Sequence, residues 1–281
     1  MKYKVLEEEG SLLNFLKTRV RGAPSVKAIK RALEARACLV NGKIERFGSR
    51  SIKKNDIIEF LDSWKEEPEE SCLVKLFEDE HLLVINKPVG WVCDDLAMRK
   101  ALPEYGGRLW LAHRLDKETS GVLLVTKSLK IKELLIDSFK KKKVDKVYLA
   151  VVHGSMLHQK GVIDSVMVVK KRLCGQTLYG SVAHGNGQRA ITYWKVLEKR
   201  QTTSLIECKP ITGRTHQIRV HLSSVGHPIL GDLQYGRRSN EKEVQRCLLH
   251  AFQLAFAHPI TGEQMLFEAP IPKEILDGAT D

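Results

Sequence analysis

"AHRLDKETSGVLLVTKS", residues 112–128, sets four charged side chains, Arg114, Asp116, Lys117 and Glu118, almost directly against an apolar run. Thr119, Ser120 and Gly121 lie between them. Residues 122–125 form a short, unbroken apolar stretch, the pattern of a strand buried on both faces. The polar part has two readings. It is a surface turn leading into the core, since Asp, Thr, Ser and Gly all favour turns. Or it carries an active-site carboxylate on the edge of the core. Arg114 lies two residues from Asp116, and a nearby cation favours the ionised form of a carboxylate. A buried strand directly behind would hold Asp116 rigidly, as a functional group requires.

Working outward, strands and helices mix without a strict βαβ alternation. "CLVKLFEDEHLLVINKP" reads as two strands around an acidic turn, and "KVYLAVVHG" as another strand. "SLKIKELLIDSFKKKK" reads as an amphipathic helix with Leu134, Leu135 and Phe139 on its buried side. "TSLIECKPITGRTHQIRVHLSSVGHPILGD" gives a strand, a loop and a helix that starts at Thr215 and stops at Gly226, with Pro228 beyond. Ile218, Leu222 and Val225 form its expected buried stripe, with Arg219 beside it. "LLHAFQLAFAHP" and "EQMLFEAP" close the pattern as strands. The fold class expected is α+β: a largely antiparallel mixed sheet with flanking helices and a central cleft, plus a small α+β domain.

That small domain is read at residues 1–62. "SLLNFLKTRV" and "SVKAIKRALEA" look like two short helices, each led by a capping serine. Val26, Ile29 and Leu33 fall at helical spacing and face a small core. Lys27, Lys30 and Arg31 fall on another face, with Arg36 following. "CLVNGKI" reads as a hairpin around an Asn41-Gly42 turn. Residues 63–71, "SWKEEPEES", are acidic, contain Pro68 and lack an apolar period, so they read as a linker. Residues 72–281 make the larger domain.

The chain has 281 residues, a 43% apolar composition and a formal net charge of +12. The size suits two domains, the apolar content a sizeable core, and the positive excess a polyanionic partner. No apolar run approaches the ~20 residues that span a bilayer. "MKYKVLEEEG" lacks the apolar core of a signal peptide. The six cysteines, at 38, 72, 93, 174, 208 and 247, show no zinc or redox spacing. Reduced thiols, no membrane association, no obligate protein partner and a cytoplasmic location are expected.

Two resemblances sharpen this. Residues 10–60, through "LVNGK" and "NDII", resemble the small RNA-binding domain named after ribosomal protein S-four. "HRLDKETSG", residues 113–121, resembles the signature of the RluA-type RNA pseudouridine synthases. In the same chain order "INKPVGW" (85–91), "KVYLAVVHG" (146–154), "GRTHQIRVHLSSVGHPILGD" (213–232), "LLHA" (248–251) and "HP" (258–259) resemble that family's other motifs. The resemblance spans residues 72–275. One departure is "WVCDD", where Cys93 and Asp94 stand near the place of a histidine in many relatives. The stretch 96–110 has no counterpart in the pattern.

The resemblance implies isomerisation of uridine in RNA to pseudouridine. The base leaves the sugar through its nitrogen, turns, and rejoins through a ring carbon. No redox step or added group is involved, so no cofactor is expected and no metal. Asp116 is implied as the catalytic carboxylate, attacking the sugar or taking a sugar proton. Tyr148 is implied as the stacking partner of the base and an aid to proton removal. Arg219 is implied as the bidentate ion-pair partner of Asp116. Arg114, Lys146, Arg214 and Lys87 are expected to contact the RNA in this domain, and Lys27, Lys30 and Arg31 in the small one. "FKKKKVDK", residues 139–146, is the densest positive run; it suits a helix C-terminus and could also hold phosphates. His216 and His221 are five apart, which does not suit a shared metal face, so the histidines are expected in structural hydrogen bonds.

rRNA is the expected substrate, with tRNA as the alternative. A catalytically idle RNA-binding or ribosome-assembly protein is the rival from another class, and a nucleoside hydrolase a third reading. The set Asp116, Tyr148 and Arg219 speaks against the idle binder, and the basic N-terminal domain against a small substrate.

Overall fold

The computed structural model describes residues 1–7, 10–20, 26–34, 37–60, 73–173, 176–236, 244 and 246–277. The chain divides into two compact units, Met1–Glu70 and Ser71–Asp281. The expected linker at 63–71, the cap Ser25 and Arg36 lie outside the described residues, as do the side chains of Lys27 and Arg31.

In the first unit β1 (Lys2–Lys4), α1 (Leu12–Arg19), α2 (Val26–Glu34), β2 (Cys38–Val40), β3 (Lys43–Ile44) and β4 (Ile57–Phe60) follow in order. The strands form an antiparallel sheet in the order β1-β4-β2-β3. Ser11 caps α1 by accepting from the Asn14 amide. Asn41 and Gly42 turn the β2–β3 hairpin with φ of 54° and 73°, both left-handed, as a type I′ turn requires. The Asn41 amide then ties the turn down, donating to Asp56 Oδ1 and accepting from the Ile57 amide, each at 2.8 Å. Leu12, Leu16, Ile29, Leu33, Ile58 and Phe60 fill the core. Val26, expected there, is 38% exposed because it is the first residue of α2. Lys30 is exposed.

The second unit is built on one 11-stranded sheet. Its elements are β5 (Val74–Glu78), β6 (Leu82–Lys87), α3 (Asp95–Ala101), β7 (Trp110–Leu111), β8 (Ser120–Thr126), α4 (Leu129–Lys140), β9 (Asp145–His153), β10 (Lys160–Leu173), β11 (Gln176–Val182), β12 (Gln188–Lys199), β13 (Thr203–Pro210), α5 (Gln217–Ser224), β14 (Leu249–Ala257), β15 (Gln264–Glu268) and α6 (Lys273–Leu276). The strand order is β11-β10-β12-β13-β9-β14-β8-β6-β5, with β15 on β14 and β7 on β8. Every pairing is antiparallel except β14 with β8. This is the mixed α+β architecture with a mostly antiparallel sheet that the sequence pattern implies.

β8 is buried along its whole length, and its alternate residues serve two cores. Val122 and Leu124 pack with Ile131 and Leu135 of α4. Leu123 and Val125 pack with Met98, Leu102 and Leu109 of the segment lacking a counterpart. Each of these four side chains contributes roughly 1.5–3 kcal/mol by leaving water. On α4 the buried pair is Ile131 and Leu135, whereas Leu134 is 40% exposed. Leu135 and Phe139 thus pack inward as expected, Ile131 joins them, and of the three expected residues only Leu134 turns outward. Residues 155–201, where the sequence pattern yields no assignment, contain β10, β11 and β12. Among the described residues no helix is long and apolar enough to cross a membrane.

Candidate active site

Asp116 sits in the loop between β7 and β8, and that loop is fixed at several points. Thr119 N–H donates to the Asp116 carbonyl at 3.0 Å. Before it, His113 Nε2 accepts from the Leu124 amide at 3.0 Å and its ring packs on Phe139. Burial pushes the His113 pKa down to about 3, so it is neutral. After it, Gly121 has φ of 115°, and a Cβ there would lie 2.1 Å from the Ala251 carbonyl oxygen of β14. Only glycine allows that close parallel approach.

Lys87 corrects an expectation. It is fully buried, and its ammonium donates to the carbonyls of Pro88, Trp91 and Lys117 at 2.7, 3.0 and 3.3 Å. It clamps the Lys-Pro-x-Gly turn to the Asp116 loop and offers no donor to a polymer. Burial pulls its pKa down to about 8, with Cys93, Asp116 and Glu118 holding it up.

The cleft beside Asp116 has a volume of about 870 Å³. β9 supplies Tyr148 and Lys146, α5 supplies Arg219, and the loop before α5 supplies Arg214 and His216. Arg114, Lys140 and Lys142 also line it. Seven Lys or Arg side chains surround a single carboxylate, Asp116, among the lining residues. Arg114 and Arg214 are exposed, and burial lowers the pKa of Lys146. From the run at 139–146, Lys140 ends α4 and Lys142 takes a left-handed turn (φ 57°). Burial, then the charge of Asp116, raises the pKa of Tyr148, so it stands as a neutral phenol, suited to stacking.

Arg219 also differs from expectation. Its bidentate partner is Asp232: Nε and Nη2 each donate at 2.8 Å to that carboxylate. The remaining nitrogen, Nη1, lies 3.6 Å from Asp116 Oδ2. The fork is spent on Asp232 because both groups are buried and neither survives there unpaired. Burial opposes the charge on Arg219, but the Asp232 hydrogen bonds and charge outweigh it and raise the pKa. Asp232 is held low by Arg219 and the amides of Tyr235 and Gln234 against its burial.

α5 runs Gln217–Ser224, shorter than expected, because His216 precedes it in a left-handed conformation (φ 57°). Gln217 locks the start: its Oε1 accepts from Thr212 Oγ1 and the Arg214 amide, and its Nε2 donates to the Ile191 carbonyl and Thr192 Oγ1. Every residue from 217 to 222 is buried, while Val225 is 44% exposed, so the helix is enclosed rather than striped. His216 Nε2 lies 4.0 Å from Asp116 Oδ1, and His216 Nδ1 lies 2.8 Å from Tyr235 Oη. The sequence pattern set a metal role for His216 aside and implied a structural hydrogen bond, which it makes to Tyr235, but did not place it beside Asp116. The one signal in the sequence is its position in the short loop that leads directly into the helix of Arg219. Asp232 closed a quoted motif, and nothing in the sequence assigned it to Arg219.

A carboxylate set between a guanidinium and an imidazole, in a cationic cleft on a large antiparallel sheet, suits an enzyme with a polyanionic substrate. Residues 81–224 match the RNA pseudouridylate synthase family, and the chain belongs to it, in its RluA-type branch. The protein is an isomerase that converts uridine in RNA to pseudouridine. It is 36% identical to ribosomal large subunit pseudouridine synthase D of Zymomonas mobilis, over 74% of this chain and 72% of that one. It is 32% identical to ribosomal large subunit pseudouridine synthase C of Salmonella typhi, over 93% and 89%. Among solved structures, human RNA pseudouridylate synthase domain containing 1 superposes with a TM-score of 0.64 at 30% identity, covering 73% of this chain and 86% of that one.

Proposed function

We propose that the protein isomerises specific uridines of large-subunit rRNA, with Asp116 as the catalytic carboxylate. The observation that carries this reading is Asp116 itself: a single carboxylate, 24% exposed, in a cleft of about 870 Å³ lined by seven cationic side chains. Such a cleft admits an extruded nucleotide, and the few kcal/mol of unstacking are offset by stacking and phosphate contacts. Asp116 meets the sugar, Tyr148 meets the base, and Arg219 stabilises the carboxylate through Nη1 while Asp232 fixes its fork. Arg114, Lys146 and Arg214 hold phosphates. The smaller unit, with Lys27, Lys30 and Arg31 on α2, binds structured RNA. The names of the relatives support rRNA over tRNA, and a ribosomal substrate agrees with the cytoplasmic location expected from the sequence.

The test uses purified protein with rRNA and, separately, tRNA, followed by mapping of pseudouridine. Wild type is expected to modify discrete rRNA sites. Asp116→Asn is expected to abolish product and retain RNA binding. Equal product from both would remove Asp116 from the chemistry. Product on tRNA alone would redirect the substrate, and tight binding without product would favour an assembly protein.

A further inference from the structure

His216 has no role in the reading above, yet one of its ring nitrogens faces Asp116. The other, Nδ1, lies 2.8 Å from Tyr235 Oη. That same oxygen accepts from the backbone N–H of Tyr179 at 3.3 Å. A backbone N–H can only donate, so Tyr235 uses a lone pair there and keeps its own hydrogen to give. His216 Nδ1 is placed to accept it. A neutral imidazole that accepts at Nδ1 carries its proton on Nε2, which points at Asp116 Oδ1 across 4.0 Å. The opposite tautomer would leave the phenolic hydrogen idle and set a lone pair against a carboxylate oxygen.

We propose that Tyr235 fixes His216 as the Nε2–H tautomer, and that His216 is a positioning residue which, with Arg219, orients Asp116 toward the bound nucleotide. This rests on Asp116 being the catalytic carboxylate. The surroundings of the ring suit a fixed dipole. Tyr179 and Tyr235 meet it edge-on, at centroid distances of 6.0 and 5.5 Å. Burial lowers the pKa of His216 more than Asp116 and Asp232 raise it, with Arg219 adding to the lowering. Tyr235 is pushed up to about 12 by burial, so its hydrogen stays in place.

One short segment therefore supports both groups beside Asp116. Asp232 Oδ1 accepts from Arg219 Nη2 at 2.8 Å and from the Tyr235 amide at 3.1 Å. The Tyr235 ring lies under the Arg219 guanidinium, 5.1 Å from its centroid. At 4.0 Å the His216–Asp116 contact is longer than a hydrogen bond. Contacts of this kind tighten when substrate fills the site. The left-handed backbone of His216 costs roughly 1–2 kcal/mol, and it places the ring between Tyr235 and Asp116.

The wild-type protein, labelled with ¹⁵N in its imidazoles, answers the first question by long-range proton–nitrogen correlation. His216 is expected to show a protonated Nε2 and an unprotonated Nδ1. A proton on Nδ1 would overturn the proposal. Kinetics on rRNA answer the second. Tyr235→Phe removes the donor to Nδ1, and His216→Asn keeps a residue that tolerates the left-handed backbone. Each is expected to lower kcat about tenfold, the size of an orientation effect, with KM unchanged. Wild-type kcat in both would sink the idea. Should His216→Asn fail to fold, the tautomer and Tyr235→Phe still decide it. Activity in Asp116→Asn would instead sink the role of Asp116, whatever the tautomer.

Discussion

Arg219 divides one guanidinium between two carboxylates of different burial. The 1%-exposed Asp232 side chain takes the fork, and the 24%-exposed Asp116 takes the third nitrogen. Lysine is a point charge without a fork and cannot serve both. Arg219→Lys is therefore expected to lower kcat by about 10²-fold and to destabilise the fold, since Asp232 loses its charge-assisted pair. A steady-state assay with a urea titration separates the two effects; a variant with normal kcat and normal midpoint would contradict the shared role. At this scale the sequence was partly legible. Asp116, Tyr148 and Arg219 stand in local motifs and line one cleft. The division of Arg219 was not legible, because Asp232 lies thirteen residues away and only burial decides which carboxylate takes the fork. Lys87 was misread for a related reason. A lysine looks like a surface cation until three carbonyls surround it.

At the scale of elements, β8 was legible because a strand buried on both faces writes an unbroken apolar run. The same strand carries the demand on Gly121. Gly121→Ala adds a Cβ 2.1 Å from the Ala251 oxygen at a positive φ. It is expected to cost about 3 kcal/mol or more and to lower kcat, because the Asp116 loop leads directly into it. Unchanged stability in a denaturant titration would mean that β8 and β14 separate easily. β10–β12 escaped the reading because their apolar alternation is blurred: Val162 and Val169 are about half exposed, and a bulge breaks the register between Val169 and Lys171. β10 pairs with β12 only over Lys160–Met167, so the rest of the β10–β11 hairpin lacks that third strand. Tyr179, on this hairpin, touches His216 at the cleft, and Lys170, Lys171 and Arg172 are exposed farther out. Changing those three to Glu is expected to weaken RNA binding and to flatten its dependence on salt. An unaltered slope would make them ordinary solvated charges.

For the whole molecule, the positive excess was legible from composition, while the acid sensitivity it accompanies was not. A histidine in the sequence does not show whether its pKa has been moved. In the structure burial pulls His221 and His250 down to about 4 and His113 to about 3. Each serves as a neutral hydrogen-bonding group: His221 with Ser165 and Thr192, His250 with Ser120, His113 with the Leu124 amide. Between about pH 6.5 and these lowered values the unfolded chain binds protons that the folded one refuses, so stability falls as pH falls. The contribution is intact above about pH 6.5 and erodes by about 2 kcal/mol per histidine by pH 5. Against a typical total of roughly 5–15 kcal/mol, that is a large share. The net charge of +12 grows further as these and other groups protonate, and self-repulsion acts in the same direction. Urea midpoints taken from pH 7.5 to 5 should therefore fall steeply below about 6.5. His221→Gln should start lower at pH 7.5, having lost bonds to Ser165 and Thr192, and then fall with a shallower slope, since one titrating group is gone. Midpoints that stay level down to pH 5 would show that these histidines are free to charge within the folded protein.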